Sequence, residues 1–264
     1  MVNQSLALEQ EIRVLAKPLY YSAEKRTEFT KRLLDICDKV KDVDFLLIHS
    51  PGGFGSTPLK HLLEWERSVV DGICATFDQF GDNYLLTQHF RTRHNWRAHL
   101  KDMKEQANAL LTGKYSDNYP EPKAMAAELR FITKNFTDLR ILLIGASQGA
   151  AFGNAVMRQI TDLKRVYSIE LGIFFPHKPR RVLTERTLAI DNNGTMPDPM
   201  SQRNLLLGGK SYVTAPYRWL KYKRQGNPKK ITLCVNAPGH DYNWQYPEVS
   251  GRITDFLKER FNNK

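Results

Sequence analysis

The sequence predicts an α/β fold with a mostly parallel central sheet and helices on both faces. Two observations carry this. Short apolar runs are continuous rather than alternating, as expected of strands buried on both faces. Between them lie longer segments with apolar residues at helical spacing, so strand and helix alternate and parallel crossovers follow.

Taken in order, Ala23–Val40 has apolar residues on one side of a helix and charges on the other. Val43–His49 (VDFLLIH) is the first strong strand signal and runs into Ser50-Pro51-Gly52-Gly53. A helix is expected over Leu59–Val70 and a strand over Gly72–Phe77 (GICATF). Helices are expected at Trp96–Leu111 and Pro122–Asn135, then a strand at Arg140–Gly145 (RILLIG) and a helix over Ser147–Ile160. Strands at Val166–Phe175, Thr187–Asp191 and Ile231–Asn236 and a helix at Pro247–Phe261 complete the set. Residues 1–42 read as a mainly helical lead-in packed on the core, and 43–264 as one α/β domain without a large lid.

Composition excludes several classes. With 41% hydrophobic and 25% charged residues among 264, and mean hydropathy −0.48, the chain is neither mainly disordered nor rich in membrane-spanning segments. Three scattered cysteines (Cys37, Cys74, Cys234) make no disulfide framework and suit a reducing compartment. Charges at Glu9, Glu11, Arg13 and Lys17 break any signal-peptide pattern, so a cytoplasmic protein is expected. The net charge of +11 is local in origin. From Pro199 to His240 there is no acid, while Arg203, Lys210, Arg218, Lys221, Lys223, Arg224, Lys229 and Lys230 lie inside. Tyr212, Tyr217, Trp219 and Tyr222 alternate with these cations. The plainest reading is a helix with apolar feet and a solvated basic face. An anionic membrane or lipid comes next, and nucleic acid is disfavoured.

Gly145-Ala146-Ser147-Gln148-Gly149 fits G-x-S-x-G between a strand and a helix. A serine on that turn stands with its hydroxyl above the sheet, and free N–H groups at the helix start face a developing oxyanion. Serine needs a base. His240 in Ala237-Pro238-Gly239-His240-Asp241 is best placed, since it follows a strand at the edge where parallel sheets put their chemistry. Two carboxylates compete to orient it: Asp191 at a strand's end and Asp198 further out in the loop. Gln148 supplies one oxyanion donor. The second comes from His49-Ser50-Pro51-Gly52-Gly53-Phe54-Gly55, where Pro51 has no N–H, and Gly53 is favoured over Gly52 or Phe54. Ser147 as nucleophile, His240 as base and Asp198 or Asp191 as acid are the expected catalytic set.

In HSPGGFG, FDQFGDN, GASQGA and APGHDYNW, in that order, the chain resembles the α/β-hydrolase superfamily, in its esterase, lipase and thioesterase branches. Asp198-Pro199-Met200 is similar to the family's acid-Pro-apolar loop, and this favours Asp198. The resemblance implies hydrolysis of a small-molecule or lipid ester or thioester, with no metal or organic cofactor. It departs from the family in a helical beginning where two strands are usual, and in a longer acid loop. The alternative is a non-catalytic module of the same architecture that binds nucleic acid or a protein through its basic face. Gly208-Gly209-Lys210-Ser211 lacks the first glycine of a phosphate loop, and His89, His94 and His99 lack the spacing of a zinc site.

Overall fold

The computed structural model describes residues 2–53, 55–91, 120–202, 205–226, 234 and 237–261. Among them five strands form one parallel sheet: β1 (Phe45–Ser50), β2 (Tyr84–Gln88), β3 (Arg140–Ala146), β4 (Val166–Leu171) and β5 (Thr187–Ile190). Their spatial order is β2-β1-β3-β4-β5. The helices are α1 (Val2–Leu19), α2 (Ala23–Lys39), α3 (Glu64–Phe80), α4 (Pro120–Asn135), α5 (Gln148–Met157), α6 (Leu205–Arg224) and α7 (Pro247–Phe261).

Alternation along each strand explains the continuous apolar runs. Leu46 and Ile48 of β1, with Ile141 and Leu143 of β3, face one side, against Leu33 of α2, Leu129 of α4 and Val156 of α5. Phe45 and Leu47, with Leu142 and Ile144, face the other side, against Ile73 and Phe77 of α3 and Ile253 of α7. Both faces are dry, so no polar residue is needed at alternate positions. Ile12 of α1 and Phe29 of α2 join the first cluster. Arg32 of α2 also pairs with the fully buried Glu128 of α4 through its two terminal guanidinium nitrogens, tying the lead-in to the sheet-covering layer.

Three expectations are corrected. Gly72–Phe77 is the interior of α3, not a strand. Val69, Ile73 and Phe77 recur every four residues, and this helical period overrides the short apolar run. Gly72 sits there because a Cβ would meet the Trp244 ring at 2.1 Å. The helix expected over Leu59–Val70 begins only at Glu64, after a 3₁₀ turn at Leu59–His61, and runs on to Phe80. The second strand is instead Tyr84–Gln88, a half-buried strand paired on β1 from Phe45↔Tyr84 to His49↔Gln88. The strand expected at Val166–Phe175 ends at Leu171. The helix expected at Trp96–Leu111 and, apart from Cys234, the strand expected at Ile231–Asn236 lie outside the described residues.

The strand order places a switch point between β1 and β3. From β1 the chain crosses to β2 on one side, whereas β3 lies on β1's other side. The loops after β1 and β3 therefore diverge at the carboxyl edge of the sheet, the position where parallel sheets hold ligands. Those loops are Ser50–Gly55 and Ala146–Gln148.

Candidate active site

Ser147 joins β3 to α5 with φ 52° and ψ −109°, the one described non-glycine residue with positive φ. Its N–H donates to Leu171 O of β4 at 2.8 Å, and its carbonyl accepts the Ala151 N–H at 3.1 Å, so the strained turn is held on both sides. The turn is tight against β1. A Cβ on Gly149 would lie 2.0 Å from Ser50 O, so only glycine lets α5 approach the loop after β1. Gln148 opens α5, and its N–H has no intrahelical acceptor.

The glycine loop is pinned by a buried set of side chains. Glu66 Oε1 accepts the Gly52 N–H at 2.8 Å and lies 3.1 Å from His49 Nε2. Gln88 turns its oxygen to the Leu59 N–H at 2.8 Å, so its amide nitrogen faces His49 Nδ1 at 3.2 Å. Nδ1 is then the acceptor, and Nε2 carries the hydrogen toward Glu66. Arg91 Nη2 donates to Pro51 O and Gly53 O, each at 2.8 Å. Of the two glycines expected to supply an oxyanion donor, Gly52 has its N–H committed to Glu66. Among the described residues none accepts the Gly53 N–H. Phe54 lies outside the described residues. His49, next to last in β1, serves the loop, as its place in the sequence suggests.

His240 and Asp198 come together. The turn Ala237–His240 closes with the His240 N–H on Ala237 O at 2.9 Å, and His240 Nδ1 lies 2.8 Å from Asp198 Oδ2. Asp198 is fully buried and satisfied. Oδ2 also accepts the Tyr242 hydroxyl at 2.6 Å, and Oδ1 accepts the Met200 and Ser201 N–H groups at 2.8 and 3.2 Å. A carboxylate only accepts, so Nδ1–H points to Asp198 and Nε2 is left as the acceptor. Burial foremost, then the Asp198 charge, raises the Tyr242 pKa and keeps its hydroxyl a donor. Trp65 of α3 lies edge-on to His240, with ring centroids 6.2 Å apart.

Gly172 links this pair to the serine. Its neighbour Leu171 accepts the Ser147 N–H, and a Cβ on Gly172 would lie 2.8 Å from Asp198 Oδ2. Ser147 and the Asp198–His240 pair thus flank one chain step. Among the described residues no hydrogen bond joins the Ser147 hydroxyl to His240.

Asp191 is elsewhere engaged. Arg181 Nη1 donates to both its oxygens and Arg181 Nε to Glu170 Oε2 at 2.7 Å, while Lys178 Nζ lies 3.2 Å from Asp191 Oδ2. It does not meet His240. Nor is it the acceptor of the turn beside it. Asn192 Oδ1 accepts the Gly194 N–H, and Asn193 Oδ1 accepts the Thr195 N–H, while Asn193 Nδ2 donates to Asp241. An amide offers both donor and acceptor, and this turn uses both.

Sequence reasoning missed Glu66, Tyr242, Trp65 and Arg181. Tyr242, two residues past His240 in GHDYNW, had a positional signal; the others act across the fold and had none. In the basic stretch, Trp219 and Tyr222 are half-buried, so they are not an outward stacking ladder. The side chain of Tyr212 and residues Arg203, Lys229 and Lys230 lie outside the described residues, as do His94 and His99. Among the described residues no group of three or more His, Cys, Asp or Glu side chains could hold a metal ion, and no helix is long and apolar enough to cross a membrane. A cavity of about 670 Å³ lies against α1 and α2, lined by Glu9, Arg13 and Arg26 among others, and shares no residue with this site. Comparison with protein-family models and with curated proteins gave no match to the chain.

Proposed function

We propose that the protein is a serine hydrolase that cleaves a carboxylic ester or thioester. The observation that carries this reading is the strained Ser147 turn at the carboxyl edge of β3, joined through Leu171 and Gly172 to the paired Asp198 and His240. Strain of this kind costs about 1–3 kcal/mol and persists where the surroundings over-determine it, commonly at functional sites. The chain order Ser147, Asp198, His240 is the order of the α/β-hydrolase pattern.

The proposed reaction runs in two halves. Ser147 Oγ attacks the substrate carbonyl carbon as His240 Nε2 takes its proton. The N–H groups of Gln148 and Gly53 hold the oxyanion, and Asp198 holds the imidazolium through Nδ1. Collapse breaks the C–O or C–S bond, and His240 returns the proton to the leaving alcohol or thiol. Water, deprotonated by His240, then attacks the acyl carbon, and His240 returns that proton to Ser147 Oγ as the acid leaves. The Ser147–His240 hydrogen bond has to form on substrate binding, since catalytic contacts are often long before the substrate is present.

The test is labelling with a fluorophosphonate probe, which reacts with an activated serine and spares an ordinary one. Labelling of the wild-type chain and none of Ser147→Ala supports the reading. No labelling of either favours a binding module of the same architecture.

A further inference from the structure

We propose that the outward face of α6 is a docking surface for an anionic lipid bilayer. Ala215 is buried and Trp219 and Tyr222 are half-buried, so these residues mark the side of α6 turned to the protein. Val213, Tyr217 and Leu220, spaced by four and three, form one stripe on the opposite side. They are 80%, 73% and 46% exposed. Lys210, Lys221 and Arg224 fall on or beside that stripe by the same spacing and are exposed. Among the described residues none of these three cations has an ion-pair partner. No acid occurs anywhere in α6.

Single exposed apolar side chains are ordinary, but three on one helical stripe mark an interaction surface. The composition selects its partner. A helix lying in the interface buries an apolar stripe just below the headgroups, while lysine and arginine beside it reach back to lipid phosphates. Tyrosine is suited to the same depth, with an apolar ring and a polar tip. Nucleic acid would call for outward rings to stack on, yet Trp219 is half-buried with Lys223 Nζ 5.4 Å from its ring centroid, and Val213 and Leu220 can neither stack nor pair. A second copy of this face would set cations against cations with no acid to offset them.

The inference stands apart from the hydrolase reading, so its test uses the full chain carrying Ser147→Ala. Flotation with vesicles of phosphatidylcholine containing about 30% phosphatidylglycerol is compared with pure phosphatidylcholine, at low and high salt. Binding is expected only to the anionic vesicles and to weaken with salt. Lys221→Ser with Arg224→Ser should weaken it roughly fivefold per cation removed and flatten the salt dependence. Val213→Ser, Tyr217→Ser and Leu220→Ser together should weaken it on the order of tenfold or more at both salts, with melting temperature unchanged. Three results each overturn the proposal: no binding to anionic vesicles, equal binding to neutral ones, or wild-type binding by the folded triple apolar variant. Self-association abolished by the apolar variant, without vesicle binding, overturns it in favour of a second copy.

Discussion

Arg181 Nη1 reaches both carboxylate oxygens of Asp191, at 2.8 and 2.9 Å. On the proposed reading the two candidate acids do different work. Asp198→Asn should lower kcat by roughly 10³–10⁴-fold, because an amide can donate to Nδ1 and so stabilise the wrong imidazole tautomer. Asp191→Asn should leave kcat near wild type. It should instead cost about 1–3 kcal/mol of stability, since the buried Arg181 loses its charge-assisted partner. Steady-state kinetics and urea unfolding of both variants decide it. A collapse of kcat in Asp191→Asn with Asp198→Asn near wild type would reverse the assignment.

The Ser147 backbone supplies a second expectation. Ser147→Ala should remove hydrolysis by roughly 10⁴-fold or more while keeping the strained turn and the fold. Ser147→Gly should be equally inactive yet more stable, by about 1 kcal/mol, because glycine occupies positive φ without a Cβ clash. For a chain of this size that is a rise of a few degrees in Tm. Equal melting of the alanine and glycine variants would show that the turn stores no strain.

Glu66 holds two donors on one oxygen, and this separates two substitutions. Glu66→Gln retains an oxygen at that place and should cost about 1 kcal/mol. Glu66→Ala leaves the Gly52 N–H and the buried His49 Nε2–H unpaired and should cost roughly 2–4 kcal/mol. If Gly53 is the second oxyanion donor, the alanine variant should also lose kcat more than it raises KM, because a loosened loop weakens the transition state foremost. Activity of Glu66→Ala equal to wild type would detach this loop from the chemistry.

Acid should destabilise the fold through buried histidines. His89 stacks on Phe152 with centroids 4.9 Å apart, and burial first, then the charges of Arg32 and Arg91, holds its pKa down to about 3. Burial and the nearby Arg91, Arg158 and Arg180 hold His177 down to about 3 as well. The unfolded chain takes up these protons near the ordinary value of about 6.5, and the folded chain does not. Stability from this source is therefore intact above about pH 6.5 and falls as pH drops toward 3, at up to about 1.4 kcal/mol per pH unit for each histidine. Urea unfolding at several pH values between 7 and 5 measures the slope. His89→Gln should reduce it by about one proton's worth, and an unchanged slope would count against a neutral buried His89.

What the sequence disclosed depended on how local each cause was. VDFLLIH and RILLIG read as strands because β1 and β3 are covered on both faces, which writes the burial directly into consecutive letters. YLLTQ escaped because β2 is half-buried and its apolar run is short and mixed with Thr87 and Gln88. GICATF misled because Gly72 reads as a turn or strand boundary, when its cause is the Trp244 ring packed on it from 172 residues further along the chain. At the candidate site, the place of Ser147 between strand and helix and that of His240 in a turn were legible from their neighbours. The choice between Asp198 and Asp191 was not decided by loop length. It rests on the contact of His240 Nδ1 with Asp198 Oδ2, made 42 residues along the chain, while Arg181 holds Asp191.

Gly149 sets a gap that no other residue can reproduce. The carbonyl of Ser50 occupies the space where any larger residue would carry its first side-chain carbon. Variation at this position is closed off even though the residue performs no chemistry. Gln148, beside it, needs only its backbone in the proposed reaction and is free to change its side chain. An engineer seeking a wider crevice between the loops after β1 and β3 therefore gains nothing from position 149. Bulk added there would lever the helix away from the end of β1. The working space has to be redrawn from the outer wall, where side chains rather than missing atoms define its limits.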